Sequence, residues 1–115
     1  MSNLTTHVLD TSQGKPAEGM KVQLFKIEDK KSVQLAEVIT NKDGRVDQKL
    51  FKSVNNTGIY ELRFFAGDYF NKENLQLTKI KFLDEITIRF GISDDTHYHV
   101  PLLISPYGYS TYRGS

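Results

Sequence analysis

The chain predicts an all-β fold, an antiparallel sandwich of seven or eight strands with one short helix, and three observations carry that prediction. Apolar residues recur at every second position in separate stretches: Met20, Val22 and Leu24; Tyr60, Leu62 and Phe64; Ile86, Ile88, Phe90 and Ile92; Tyr98, Val100, Leu102 and Ile104. Turn-forming residues cluster between such stretches, at positions 11–16, 28–31, 41–44 and 93–96. A single stretch, residues 67–75, loses the period of two. Short strands with frequent turn signals are the pattern of two sheets packed face to face.

Each element follows from local chemistry. Residues 4–10 are Thr-rich and β-branched, so they read as a strand, and His7 sits in the middle of it. The Gly and Pro of residues 11–16 supply the turn after it. Strands at 20–25 and 33–40, joined by a charged turn, make a hairpin in which Val33 and Leu35 oppose Gln34 and Ala36. In the turn at 41–44 Gly44 is free to take positive φ, and that turn delivers Arg45 to the head of the next short strand. Tyr60, Leu62 and Phe64 alternate with Glu61 and Arg63, which places this strand in the centre of a sheet. Asp68 is positioned to cap a helix of about two turns that presents Phe70 and Leu75 to one side. In the last strand Tyr98, Val100, Leu102 and Ile104 share one face and His97, His99, Pro101 and Leu103 the other. Pro101 lacks an N–H, which argues that this strand lies at an edge or at a subunit contact.

Composition narrows the classes of function. A chain of 115 residues makes one domain, 1–115, and buries roughly two-thirds of its unfolded surface. Fifteen basic against fourteen acidic residues give a net charge of +1, so no general attraction to nucleic acid or to an anionic membrane is expected. The absence of cysteine excludes disulfides, thiolate metal sites and cysteine nucleophiles. The first nine residues do not read as a signal peptide, and no apolar run approaches the roughly 20 residues of a membrane span, so a soluble cytoplasmic protein is expected. There is no internal repeat, low-complexity tract or linker.

The candidate chemistry lies in two short motifs that hold all three histidines, His7 and the pair His97 and His99. Imidazole exchanges protons near neutral pH, so histidines confined in this way suggest acid–base work. The bland alternatives are real: a mid-strand histidine is more often structural, and His97 with His99 could be an exposed polar face beside Asp94 and Asp95. The same three side chains could also hold a catalytic zinc with water as fourth ligand, although a His-x-His pair with a distant third histidine is a weak metal signature. Arg45 alone reads as a solvated charge, and Tyr112 and Arg113 as amphipathic side chains on an edge strand. No Gly-x-Ser-x-Gly elbow is present.

Taken together, Leu4-Thr-Thr-His-Val-Leu-Asp-Thr-Ser12 with Gly14, Pro16 and Ala17, then Asp43-Gly-Arg45, Gly67-Asp-Tyr-Phe70, His97-Tyr-His-Val-Pro-Leu-Leu103 and the terminal Tyr112-Arg-Gly-Ser115 resemble the transthyretin-related family of 5-hydroxyisourate hydrolases along the whole chain. The resemblance implies a transthyretin-like β-sandwich assembled as a homotetramer, a dimer of dimers, with active sites in clefts where dimers meet. It implies hydrolysis of the small molecule 5-hydroxyisourate, the unstable product of urate oxidation, to 2-oxo-4-hydroxy-4-carboxy-5-ureidoimidazoline, with no cofactor and no metal. The family's catalytic residues fall on His7, Arg45, His99 and Ser115, with Tyr112, Arg113 and His97 beside the substrate. One departure is residues 82–86, Phe-Leu-Asp-Glu-Ile, where similar proteins tend to show two aromatics followed by proline. The mechanism expected is attack of a water held by His7 or His99 on the C6 carbonyl, with Arg45 and backbone donors stabilising the oxyanion and the other histidine or a water protonating the departing nitrogen. The alternative is a transthyretin-like carrier of a small aromatic ligand, which would have no need of His7, Arg45, His99 and the terminal tetrapeptide together.

Overall fold

In a computed structural model, which describes residues 3–46, 57–75 and 77–114, two four-stranded sheets face each other. The elements in chain order are β1 (Asn3–Asp10), β2 (Lys15–Pro16), β3 (Lys21–Glu28), β4 (Lys31–Ile39), β5 (Gly58–Phe65), α1 (Ala66–Lys72), β6 (Glu85–Ile92), β7 (His97–Ser105) and β8 (Gly108–Thr111). The first sheet runs β2-β1-β7-β8 and the second β4-β3-β5-β6. The sandwich is therefore as expected, with one pairing that alternation could not reveal: β1 and β7 run parallel along their whole length, from Asn3 opposite His97 to Asp10 opposite Ile104.

The core is the product of alternation. Leu4 and Val8 of β1 and Tyr98, Val100, Leu102 and Ile104 of β7 are buried against Val22 and Leu24 of β3, Tyr60, Leu62 and Phe64 of β5 and Ile86, Ile88 and Ile92 of β6. Since side chains alternate across a strand, burying these fixes what the opposite face carries, which in β1 and β7 is Thr5, His7, His97 and His99. At roughly 1.5–3 kcal/mol for each large apolar side chain buried, shifting either strand by one residue would forfeit several such contributions. That cost holds the histidines outward.

Local chemistry modifies three expectations. The hairpin between β3 and β4 closes on Asp29 and Lys30, both at positive φ, and a register shift after Leu24 leaves Leu35 as the extra residue. Val33 and Leu35 consequently stay exposed while Ala36 and Val38 turn to the core. Asp68 does not cap the helix. The helix starts directly off β5 at Ala66, without a side-chain cap, and the Gly67 N–H donates to the Asp84 carbonyl at 2.9 Å instead. Asp68 falls in the first turn, where its charge suits the helix dipole.

Pro101 lies in an interior strand, between β1 and β8, rather than at an edge. The β8 ladder ends at the pair Leu102 and Thr111, one residue short of it, and resumes at a single bridge between His99 and Gly114. The position that cannot donate is thus the one at which pairing with the last segment lapses. Tyr112 and Arg113 are the two residues released by that lapse. No described helix is long and apolar enough to cross a membrane.

Candidate active site

The outward face of the β1–β7 pair collects the candidate residues. In the parallel register Thr5 is opposite His99 and His7 opposite Pro101, so His7 and His99 are diagonal neighbours on one surface. An isolated bridge joins Arg45 to His7 on one flank, and another joins Gly114 to His99 on the other. Four segments far apart in sequence meet in a strip a few residues long.

Arg45 is placed by its turn. The Asn41 side-chain carbonyl accepts from the Asp43 N–H at 2.9 Å and the Arg45 N–H at 3.1 Å, and the Asn41 N–H donates to the Arg45 carbonyl at 2.9 Å. The turn is clamped to β1 because the Val8 N–H donates to the Gly44 carbonyl at 2.8 Å. Gly44 is at φ +72°, and a Cβ there would collide with the Val8 carbonyl, so the close approach requires glycine. Arg45 itself is exposed, and no ion pair engages it among the described residues.

Both partly buried histidines are held below the ordinary imidazole range. For His7 the cause is burial first and the Arg45 guanidinium second, partly offset by a hydrogen bond to the Asp43 main chain and by the Asp43 charge. For His99 it is burial, then Arg45, then His7 and His97, offset by a hydrogen bond to the Thr5 main chain. Each ring is therefore neutral near pH 7 with a lone pair available, and each has a main-chain carbonyl to fix one nitrogen as N–H. Arg45 acts on both, which puts a permanent cation within electrostatic reach of two neutral bases.

His97 and His99 converge on one hydroxyl. Thr5 Oγ1 lies 2.8 Å from His97 Nε2 and 2.8 Å from His99 Nδ1, and the two rings meet edge to face with centroids 6.5 Å apart. Sequence reasoning missed Thr5, although its shared face with His7 was readable from the period of two. It also missed why residue 114 is glycine: the Gly114 N–H donates to the His99 carbonyl at 2.7 Å, and a Cβ there would sit 2.6 Å from His99 Cδ2.

Two expected residues face elsewhere in the single chain. Arg113 stacks on the inward-facing Tyr98 at 4.0 Å and donates to Thr96 Oγ1 at 3.2 Å. Tyr112 is exposed and, with Arg113, Tyr98, Ile88 and Phe90, lines a cleft of about 250 Å³ between the β6 and β8 ends of the sandwich. Ser115 lies outside the described residues. The three histidines do not form a metal cage: among the described residues no three His, Cys, Asp or Glu side chains group closely enough to hold an ion, and His97 Nε2 and His99 Nδ1 both face Thr5.

A family model described as the HIUase/Transthyretin family matches residues 4–114. A protein of Rhizobium meliloti named 5-hydroxyisourate hydrolase 2 is 54% identical over 97% of this chain and 95% of its own length. A 5-hydroxyisourate hydrolase of Pseudomonas aeruginosa is 50% identical over 100% and 93%. Among solved structures, 5-hydroxyisourate hydrolase of Klebsiella pneumoniae superposes with a TM-score of 0.82 at 38% identity, each chain covered completely. An (S)-allantoin synthase reaches a TM-score of 0.92 at 44% identity over 99% of this chain, which spans only 44% of that longer one. Sea bream transthyretin in complex with thyroxine gives 0.87 at 22% identity over 97% of this chain and 94% of its own, a likeness of fold alone.

Proposed function

The chain belongs to the HIUase/Transthyretin family, and from that premise we propose how this enzyme of purine degradation hydrolyses 5-hydroxyisourate. The observation that carries the mechanism is the pairing of two neutral imidazoles, His7 and His99, with the exposed guanidinium of Arg45 on one face. One imidazole takes a proton from a water as that water attacks the C6 carbonyl. Arg45 offers fixed paired donors to the oxygen as it becomes negative, and among the described residues no carboxylate pairs with it. The tetrahedral adduct collapses when the ring nitrogen leaves, protonated by the second imidazole or by a water. No covalent intermediate is required, and no step passes through a metal or cofactor.

In this reading Tyr112 and Arg113 approach substrate from the segment released opposite Pro101. The face becomes a cleft when a second subunit covers it, in a dimer of dimers. Support for that assembly comes from the exposed aromatic residues Tyr107, Tyr109 and Tyr112 along the last segment.

The test is the ultraviolet decay of freshly made 5-hydroxyisourate. The purified protein should accelerate it, and His7→Ala or His99→Ala should each lower turnover by on the order of 100-fold or more with the circular dichroism unchanged. Failure of the intact protein to accelerate the decay overturns the assignment of substrate. Near-normal turnover in both variants overturns the imidazole mechanism alone.

A further inference from the structure

Thr5 stands between the two imidazoles of β7 in a way that constrains both. A hydroxyl has one hydrogen to give, so it cannot donate to His97 Nε2 and to His99 Nδ1 at once. With both contacts at 2.8 Å, at least one ring must donate to Thr5, and the arrangement that also uses the hydroxyl hydrogen within the trio has one ring accept from Thr5 and the other donate to it. If Thr5 donates to His97, His99 carries its hydrogen on Nδ1 and presents a bare Nε2, a base. If Thr5 donates to His99, His99 carries its hydrogen on Nε2 and presents an acid.

We propose that Thr5 is a positioning residue that sets the tautomer of His99 and relays a proton between His99 and His97 during the hydrolysis proposed above. In the resting state Thr5 donates to His97 Nε2 and accepts from His99 Nδ1. The main-chain carbonyl of Thr5, an acceptor only, also bonds the His99 ring and favours a hydrogen on the side that faces Thr5. When His99 Nε2 takes a proton from the attacking water, its Nδ1 hydrogen passes to Thr5 Oγ1 as the Thr5 hydroxyl hydrogen passes to His97 Nε2. The net result is a neutral His99, now hydrogen-bearing at Nε2, and a protonated His97. The reverse transfer releases the proton from His99 Nε2 to the water that protonates the departing nitrogen, and restores the first state.

The relay has an electrostatic rationale. His99 already faces Arg45 and His7, so a second cation beside them is costly, whereas His97 lies at the water-exposed end of the relay. The groups acting on the His99 ring are Arg45, His7 and His97 by their charge and Thr5 by its hydrogen bonds, with Gly114 closing the remaining side. Thr5 is fixed in this role by the parallel register, which sets it directly opposite His99, and by neighbours Leu4 and Thr6, which are buried.

The proposal rests on the hydrolase reading for its consequence but not for its first readout. Nitrogen-15 spectra of the histidine rings in the wild-type protein without substrate should show His99 with hydrogen on Nδ1 and a bare Nε2. A His99 found with hydrogen on Nε2 overturns the proposal, whatever the enzyme turns over. Thr5→Val keeps the shape and removes the hydroxyl; it should lower kcat roughly 10- to 100-fold at unchanged KM, mix the His99 tautomers and alter the acid limb of the pH profile. Thr5→Ser should restore both tautomer and rate. Wild-type kcat in Thr5→Val, or a Thr5→Ser variant as slow as Thr5→Val, rejects the relay. Loss of hydrolysis in the wild type with the expected spectra rejects the substrate and leaves the tautomer lock standing.

Discussion

The outward faces of the two sheets each carry a cluster of charged or titratable side chains, and they are built on opposite plans. On the second sheet Glu61, almost completely buried, accepts from Arg63 Nε and Nη2 at 3.2 and 3.0 Å and from Arg89 Nε and Nη2 at 2.8 and 2.6 Å. Arg63 also lies on the Phe25 ring at 3.7 Å. On the first sheet Arg45 has no carboxylate to satisfy it among the described residues, and the histidines beside it are held neutral. A cluster whose donors and acceptors are matched holds strands together; one whose cation and lone pairs are left unmatched is available to something that binds. On the proposed mechanism the same sandwich separates stability from chemistry by face.

The sharpest way to break the comparison is to disturb the open cluster without touching a titratable group. Gly114→Ala puts a methyl group 2.6 Å from His99 Cδ2, 3.2 Å from Cγ and 3.3 Å from Cβ. Because the contacts include the root of the side chain, the ring cannot swing clear as a flexible tip would, and Thr5 holds its other edge. Turnover should fall by about 100-fold, as a displacement of about 1 Å can cost, with the melting temperature little changed. A fully active Gly114→Ala would show that the His99 position is not critical, and would reduce the open cluster to an exposed polar face.

The two plans also separate on a pH axis. His7 and His99 have folded-state values below 6.5, so in that region the unfolded chain binds more protons than the folded one. Their contribution favours folding at neutral pH and is lost as the pH falls below 6.5. Burial pushes the Glu61 carboxyl up, but the hydrogen bonds and charges of Arg89 and Arg63 outweigh it and hold the group below its ordinary 4.5. Its stabilisation is present above that value and is lost only as the pH falls through the lowered folded-state value. Denaturation at a series of pH values should therefore show two steps, and the upper one should vanish in a variant with both His7 and His99 replaced by alanine. Turnover should hold steady down to below pH 6.5 and then decline as the bases protonate. An upper step that stays in the double variant, or stability that rises on acidification from 6.5, contradicts the neutral-imidazole account.

How much of this could be read beforehand depends on the range of the interaction. Alternation is local, so the strands, the central place of β5 and the separate face shared by His97 and His99 followed from residues two apart. Gly44 and Arg45 followed from turn chemistry that spans four positions. The parallel pairing of β1 with β7 joins residues more than ninety apart, and nothing in either strand's own pattern states a partner or a direction. Pro101 was readable as a gap in a ladder but not as a gap inside a sheet, because that depends on where β8 ends. Thr5 escaped notice for the same reason: a threonine in a Thr-rich strand carries no signal until the register sets it against His99.

The smallest expected effect is on the closed cluster, and it tests the claim that this side of the molecule is structural. Glu61→Gln keeps the side-chain shape and one carbonyl acceptor but turns an NH2 group toward a guanidinium, so a donor faces a donor. The side chain is nearly buried, which argues for a cost, yet Arg89 is mostly exposed at 61% and can turn to water, while Arg63 keeps its seat on Phe25. The unpaired group is therefore partly resolvated, and the loss belongs at the low end of the range for a buried polar mismatch, about 1 kcal/mol. That corresponds to a fall in melting temperature of about 4–8 °C for a domain near this size. Turnover should be unchanged, because the substituted face is separated from His7, Arg45 and His99 by the whole thickness of the core. For the same reason the stability changes of Glu61→Gln and His99→Ala should add to within about 0.5 kcal/mol in the double variant. A drop in turnover in Glu61→Gln, or strong non-additivity, would mean that the two faces communicate through the sandwich and that the division of labour between them does not hold.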